Sequence, residues 1–223
     1  MDSLTDLDAM DGYLARPSTD GPWPGVIVVH EWWGLDEQTK SIADRLAGVG
    51  YLSIAPDLFH GELAGDREQA ARLVEKHSAA ERDLVKVFDN LKQNRECSGK
   101  VGCVGFCFGG RMSLMLALQR PTDAICTFYG GGMHRIFDRL GGLKSPVLGL
   151  FGDQDESIPV ERVREFERRL ITLGLENEIV IYPDSGHAFF RDSDPAVYRP
   201  EAAADAWQRL TRFFARHLQQ PAD

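Results

Sequence analysis

The chain has 223 residues, 43% of them hydrophobic and 26% charged, and a formal net charge of −9. That length fits one α/β domain over residues 1–223, and no apolar run approaches the ~18 residues needed to span a membrane. The acidic balance disfavours nucleic acid and anionic membrane surfaces as partners, and the four cysteines show neither Cys-x-x-Cys nor Cys/His metal spacing.

The first residues, Met-Asp-Ser-Leu-Thr-Asp-Leu-Asp, are acidic and lack the basic start and apolar core of a secretory signal. The expectation is a cytoplasmic protein with reduced cysteines at 97, 103, 107 and 126 and no disulfide framework. Residues 12–16 read as a short edge strand, and 17–24, with three prolines and one glycine, as a turn-rich connection. The apolar run 25–30 is a strand of the kind buried on both faces of a parallel sheet, and it empties into Glu31-Trp32-Trp33-Gly34. Asp36 can cap a helix over about 37–47, and 51–55 is the next strand. Composition turns to loop over 58–66. A helix then runs from Arg67 to about Leu91, broken near His77-Ser78, with His77 on its surface.

Lys100 to Leu114 is the centre of the pattern. A buried strand at 101–104 meets a turn with Cys107 at its apex, flanked two residues on either side by Gly105 and Gly109, and then an apolar helix that Pro121 closes. Gly-x-Cys-x-Gly matches the nucleophile elbow G-x-S-x-G with cysteine for serine, a turn that exposes the nucleophile and aims a helix N-terminus at it. Such a helix start favours a thiolate and a developing oxyanion. The plainer reading is a strand-to-helix turn that carries a buried cysteine.

Further on, 124–129 is a strand that enters Gly130-Gly131-Gly132, and 146–151 is another. A helix over 160–173 has a charged face above an apolar stripe. Strand 178–182 precedes Gly186-His187, and a helix over about 201–219, with His217 on its surface, ends the pattern. Strands alternating with helices predict a mainly parallel sheet covered on both faces, with functional groups at the carboxyl ends of its strands. Acidic residues at 153 and 155 follow one strand and His187 follows the last, which gives the order nucleophile, acid, histidine. His187 would act as base toward Cys107, and an aspartate would hold the imidazole in the useful tautomer. Spacing alone leaves Asp153 and Asp155 in competition for that role.

The elbow Gly-Phe-Cys-Phe-Gly-Gly, the loop Gly-Asp-Gln-Asp, the segment Gly-His-Ala-Phe-Phe-Arg and the early His-Glu-Trp-Trp-Gly-Leu together resemble the dienelactone hydrolase family over about residues 12–216. The resemblance implies an α/β-hydrolase fold without a lid domain and a triad of Cys107, His187 and Asp155. It implies that Glu31 holds the resting thiol and helps remove its proton, and that the backbone N–H groups of Trp32 and Phe108 form the oxyanion hole. It further implies that Arg67 and Arg191 grip a substrate carboxylate through their planar forks. Ala71 and Val74 depart from the family pattern of larger aromatic residues and imply a wider pocket. The expected activity is opening of a dienelactone or similar small, anionic ester or lactone through an acyl-enzyme, by a monomer that uses no cofactor and no metal. A broad carboxylesterase or thioesterase on the same scaffold is the alternative, and a redox-sensing or ligand-binding protein using Cys107 is the second.

Overall fold

The computed structural model describes residues 6–219. The first five residues of the segment read above for a leader lie outside them. Seven strands form one sheet: β1 (Gly12–Ala15), β2 (Trp23–Val29), β3 (Leu52–Pro56), β4 (Cys97–Phe106), β5 (Ala124–Phe128), β6 (Val147–Gly152) and β7 (Asn177–Tyr182). Their spatial order is β1-β3-β2-β4-β5-β6-β7. Only β1 is antiparallel to its neighbour, and every other pairing is parallel. The apolar runs of β2, β3, β5 and β6 are buried because the sheet is covered twice. Gly25 packs on Leu91, whereas Gly102, which is paired with Val26 and so faces the other way, packs on Phe214 and Leu218. Helices therefore lie on both faces.

Those helices are α1 (Glu37–Ala47), α2 (Arg67–Lys76), α3 (Ala80–Gln93), α4 (Phe108–Ala117), α5 (Val160–Thr172) and α6 (Pro200–Phe214). The Asp36 and Asp66 side chains accept N–H bonds from Thr39 and Gln69 and so start α1 and α2. The break after α2 falls at His77, where its sequence placed it.

Three details differ from expectation. Strand β2 begins at Trp23, inside the stretch read as a turn: Trp23 pairs with Cys97, and the register slips before Gly25 because Pro24 has no N–H for the ladder. A 3-10 helix over Met133–Gly142 follows the glycine run. His77 and His217 are not surface residues. His77 is the non-helical cap of α2, so its ring turns inward to stack on Phe59 and bond Glu62. His217 sits in a π turn over Ala215–Gln219, whose wider pitch carries its ring against Phe213. No helix among the described residues is long and apolar enough to cross a membrane.

Candidate active site

Strand β4 runs straight into Cys107, whose φ of 52° and ψ of −112° are strained for a residue with a side chain. The turn is held by the Cys107 N–H donating to Phe128 O at 3.0 Å and by the Cys107 carbonyl accepting from Gly131 at 2.9 Å. Its neighbours must be glycine. A Cβ at Gly105 would lie 2.0 Å from Gly109 O, and one at Gly109 would lie 2.2 Å from Val29 O. That close approach lets α4 begin directly over the ends of β2 and β4. Phe108 is the first residue of α4, where the N–H has no intrahelical acceptor.

His187 follows β7, and its Nδ1 lies 2.7 Å from Asp155 Oδ2. Asp155 follows β6, its side chain fully buried, and its Oδ1 accepts N–H bonds from Ser157 and Ile158 at 2.8 and 3.0 Å. Two backbone donors and one imidazole thus fix the orientation of this carboxylate. Asp153 is exposed and meets only the Ser185 N–H, at 3.4 Å. The imidazole and Cys107 line the same cavity. Burial disfavours charge on His187, but the bond to Asp155 and the nearby Cys107 sulfur outweigh it, and its pKa is pushed up to about 10.

Glu31 lies past the end of β2 and is only 6% exposed. Burial raises its affinity for a proton, while the Arg191 and His187 cations and a bond from the Tyr129 hydroxyl act the other way. Arg191 is shared: Nη1 is 3.0 Å from Glu31 Oε2, and Nη2 is 2.7 Å from Asp36 Oδ2. His30 is buried between the rings of Phe59 and Phe108. Its Nε2 accepts the Leu58 N–H, so Nδ1 carries the proton and donates to Glu31 O at 2.5 Å. The peptide so held is the one whose N–H belongs to Trp32.

Cys107, His187 and Glu31 line a cavity of about 410 Å³ together with Trp32 and Phe108. Arg67 and Arg191 reach the same cavity. Arg67, exposed at the first turn of α2, has no carboxylate partner among the described residues. Val74 also faces the cavity, whereas Ala71 is exposed. The same lining holds Arg111 and Arg135, which the sequence reading did not single out. It also passed over Tyr129, which stands at the carboxyl end of β5 with its ring edge-on to His187 at 5.1 Å. Its place at a strand end, beside a glycine run, was the available signal. Asp36 was read only as a helix cap. It is that, and it is also a partner of Arg191. No cluster of three or more His, Cys, Asp or Glu side chains among the described residues is arranged to hold a metal ion.

A mainly parallel sheet, a cysteine on a strained strand-to-helix apex, and an acid and a histidine on the loops after β6 and β7 define an α/β-hydrolase. The comparisons with known proteins are more specific. A Salmonella typhimurium protein named "Putative carboxymethylenebutenolidase" is 38% identical over 94% of this chain and 84% of its own length. A crystal structure of a dienelactone hydrolase homologue from Klebsiella pneumoniae superposes with a TM-score of 0.80 at 32% identity, over 90% of each chain. A dienelactone hydrolase-like promiscuous phosphotriesterase from metagenomic libraries superposes at 0.81 with 26% identity, over 90% of this chain and 89% of its own. Residues 10–218 match the dienelactone hydrolase family model, and the chain belongs to that family. It is a carboxylic ester hydrolase of the dienelactone hydrolase type.

Proposed function

We propose that the chain hydrolyses a small ester or lactone by cysteine catalysis through an acyl-enzyme. The single observation that carries this is that Cys107 and His187 line one cavity, with the imidazole bonded to the buried Asp155. Asp155 and the sulfur leave His187 with a raised pKa despite its burial, and in this reading it takes the thiol proton as the Cys107 sulfur attacks. Attack on the carbonyl carbon forms the C–S bond and moves the carbonyl π pair onto oxygen. The N–H groups of Trp32 and Phe108 receive that oxyanion, with His30 holding the Trp32 peptide in place. Collapse breaks the C–O bond, and the departing oxygen takes the imidazolium proton. In a lactone it stays tethered to the acyl group. His187 then deprotonates a water that attacks the thioester, and release of the acid regenerates the thiolate and the imidazolium. Glu31, with proton affinity raised by burial, is the second acceptor for the thiol proton in this reading.

The substrate in this reading is an anion. Arg67 is one guanidinium available to meet its carboxylate, and Arg191 lines the same cavity. A second reading, a carboxylesterase or thioesterase indifferent to charge, is favoured by one observation: Arg191 is already bonded to both Glu31 and Asp36. The test is kcat/KM for an acidic lactone and for its methyl ester, before and after alkylation of Cys107. Alkylation abolishing both activities supports the cysteine mechanism. A preference for the acid of about 10-fold or more selects the anionic reading, and parity selects the second.

A further inference from the structure

Arg111 projects from the first turns of α4 and forms no ion pair with a carboxylate among the described residues. Its Nε is buried and makes no hydrogen bond. Its guanidinium lies over the Phe108 ring at 5.9 Å. Arg135, in the 3-10 helix after β5, faces it. A Cβ placed at Gly132 would lie 2.8 Å from Arg111 Nη1 and 3.8 Å from Arg135 Cδ, so the two side chains flank one glycine. That glycine adjoins Gly131, where a Cβ would sit 3.6 Å from Cys107 Sγ. Both arginines therefore border the cavity within a few residues of the sulfur.

The carboxylates nearby are committed elsewhere. Glu81 bonds Gln119 and pairs with Arg139. Asp194, also in the lining, accepts the Ala196 N–H. Glu31 and Asp36 hold Arg191, and Asp155 holds His187. Two like charges side by side, one of them desolvated, oppose folding unless something compensates them, and burial with Arg135 close by weakens Arg111's hold on its proton against the smaller pull of Cys107 and Glu81. An oxyanion matches the unused donors of two planar forks.

We propose that Arg111 and Arg135 form an anion subsite on the α4 wall of the cavity, separate from Arg67 and Arg191, which binds a carboxylate or phosphate group of the substrate. The inference rests on the hydrolase reading for its link to turnover, though binding itself does not depend on that reading. The favoured esters then carry a negative charge on the α4 side of the scissile carbonyl. Gly132, whose φ of 75° favours glycine, leaves room for the Arg111 guanidinium beside it.

The experiment compares p-nitrophenyl hemisuccinate with neutral p-nitrophenyl butyrate in the wild type, Arg111→Gln and Arg135→Ala. Both variants are expected to raise KM for the hemisuccinate by about 10-fold or more and to change the butyrate by less than about 2-fold. Arg135 is exposed, so its variant decides the matter even if Arg111→Gln fails to fold. A second readout needs no turnover: succinate or inorganic phosphate should slow iodoacetamide labelling of Cys107 in the wild type and not in Arg135→Ala. Protection by phosphate alone or by succinate alone identifies which oxyanion the subsite takes. Equal effects on the two esters, with no protection by either anion, overturn the subsite and leave the hydrolase standing. Protection without hydrolysis of either ester supports the subsite and overturns the hydrolase reading instead.

Discussion

His187 Nδ1 stands 2.7 Å from Asp155 Oδ2, while Asp153, two residues earlier, is turned to the surface and meets a backbone N–H at 3.4 Å. If Asp155 orients the imidazole, Asp155→Asn loses activity severely and Asp153→Asn only mildly. His187→Ala loses on the order of 10³-fold or more in kcat. Steady-state kinetics with an aryl ester measure all three. A severe loss in Asp153→Asn beside a mild one in Asp155→Asn would transfer the role.

Cys107 is the one cysteine at the cavity, whereas Cys97, Cys103 and Cys126 are buried. Burial also pushes those three thiols up and away from reactivity. Iodoacetamide is expected to label Cys107 first, with loss of activity in proportion. Peptide mapping checks it, and inactivation that tracks any other cysteine would reject the assignment.

The folded pKa of His187 is raised, to about 10 from an ordinary 6.5. A raised histidine pKa adds stability that is fully present below pH 6.5 and is lost as pH climbs toward 10. The Tm of the wild type is therefore expected to fall across that window by more than the Tm of His187→Gln. Parallel Tm curves would mean that His187 is not held protonated by its neighbours.

Arg191 neutralises two half-buried to buried carboxylates, so Arg191→Ala strands Glu31 and Asp36 together. Breaking such a pair by removing one partner costs about 3–5 kcal/mol. Arg67→Ala, at an exposed helix start, should leave stability within about 0.5 kcal/mol and act on KM for an anionic lactone alone. Urea denaturation and kinetics on the two variants separate a structural arginine from a binding one.

Gly109→Ala would drive a methyl group into the Val29 and His30 carbonyls. Backbone on both sides cannot move far, so a loss of about 1–3 kcal/mol and of most activity is expected. Gly141→Ala, where a Cβ meets nothing within 4 Å, is the control.

What the sequence alone determined was local or periodic. The alternation of apolar runs with amphipathic stretches announced the sheet and its covering helices, because burial on two faces demands that pattern. The glycines around Cys107 announced the elbow, because only glycine permits the contact of α4 with the ends of β2 and β4. Position after a strand was enough to pick out His187 and both aspartates, whereas Glu31 was marked by the family resemblance. Choosing between Asp153 and Asp155 as the partner of the imidazole needed the turn after β6, which buries one carboxylate and exposes the other. The tertiary structure alone decided the charge pairing. Arg191 meets Glu31 across 160 residues and Asp36 across 155, while Arg111 and Arg135 form no ion pair with a carboxylate among the described residues. No local rule carries that information, since a charged side chain's partner is set by which loops the sheet order brings to one edge. The two histidines placed wrongly on helix surfaces failed for a related reason: each lies where the α-helical period ends, and from there tertiary packing decides which way a ring turns.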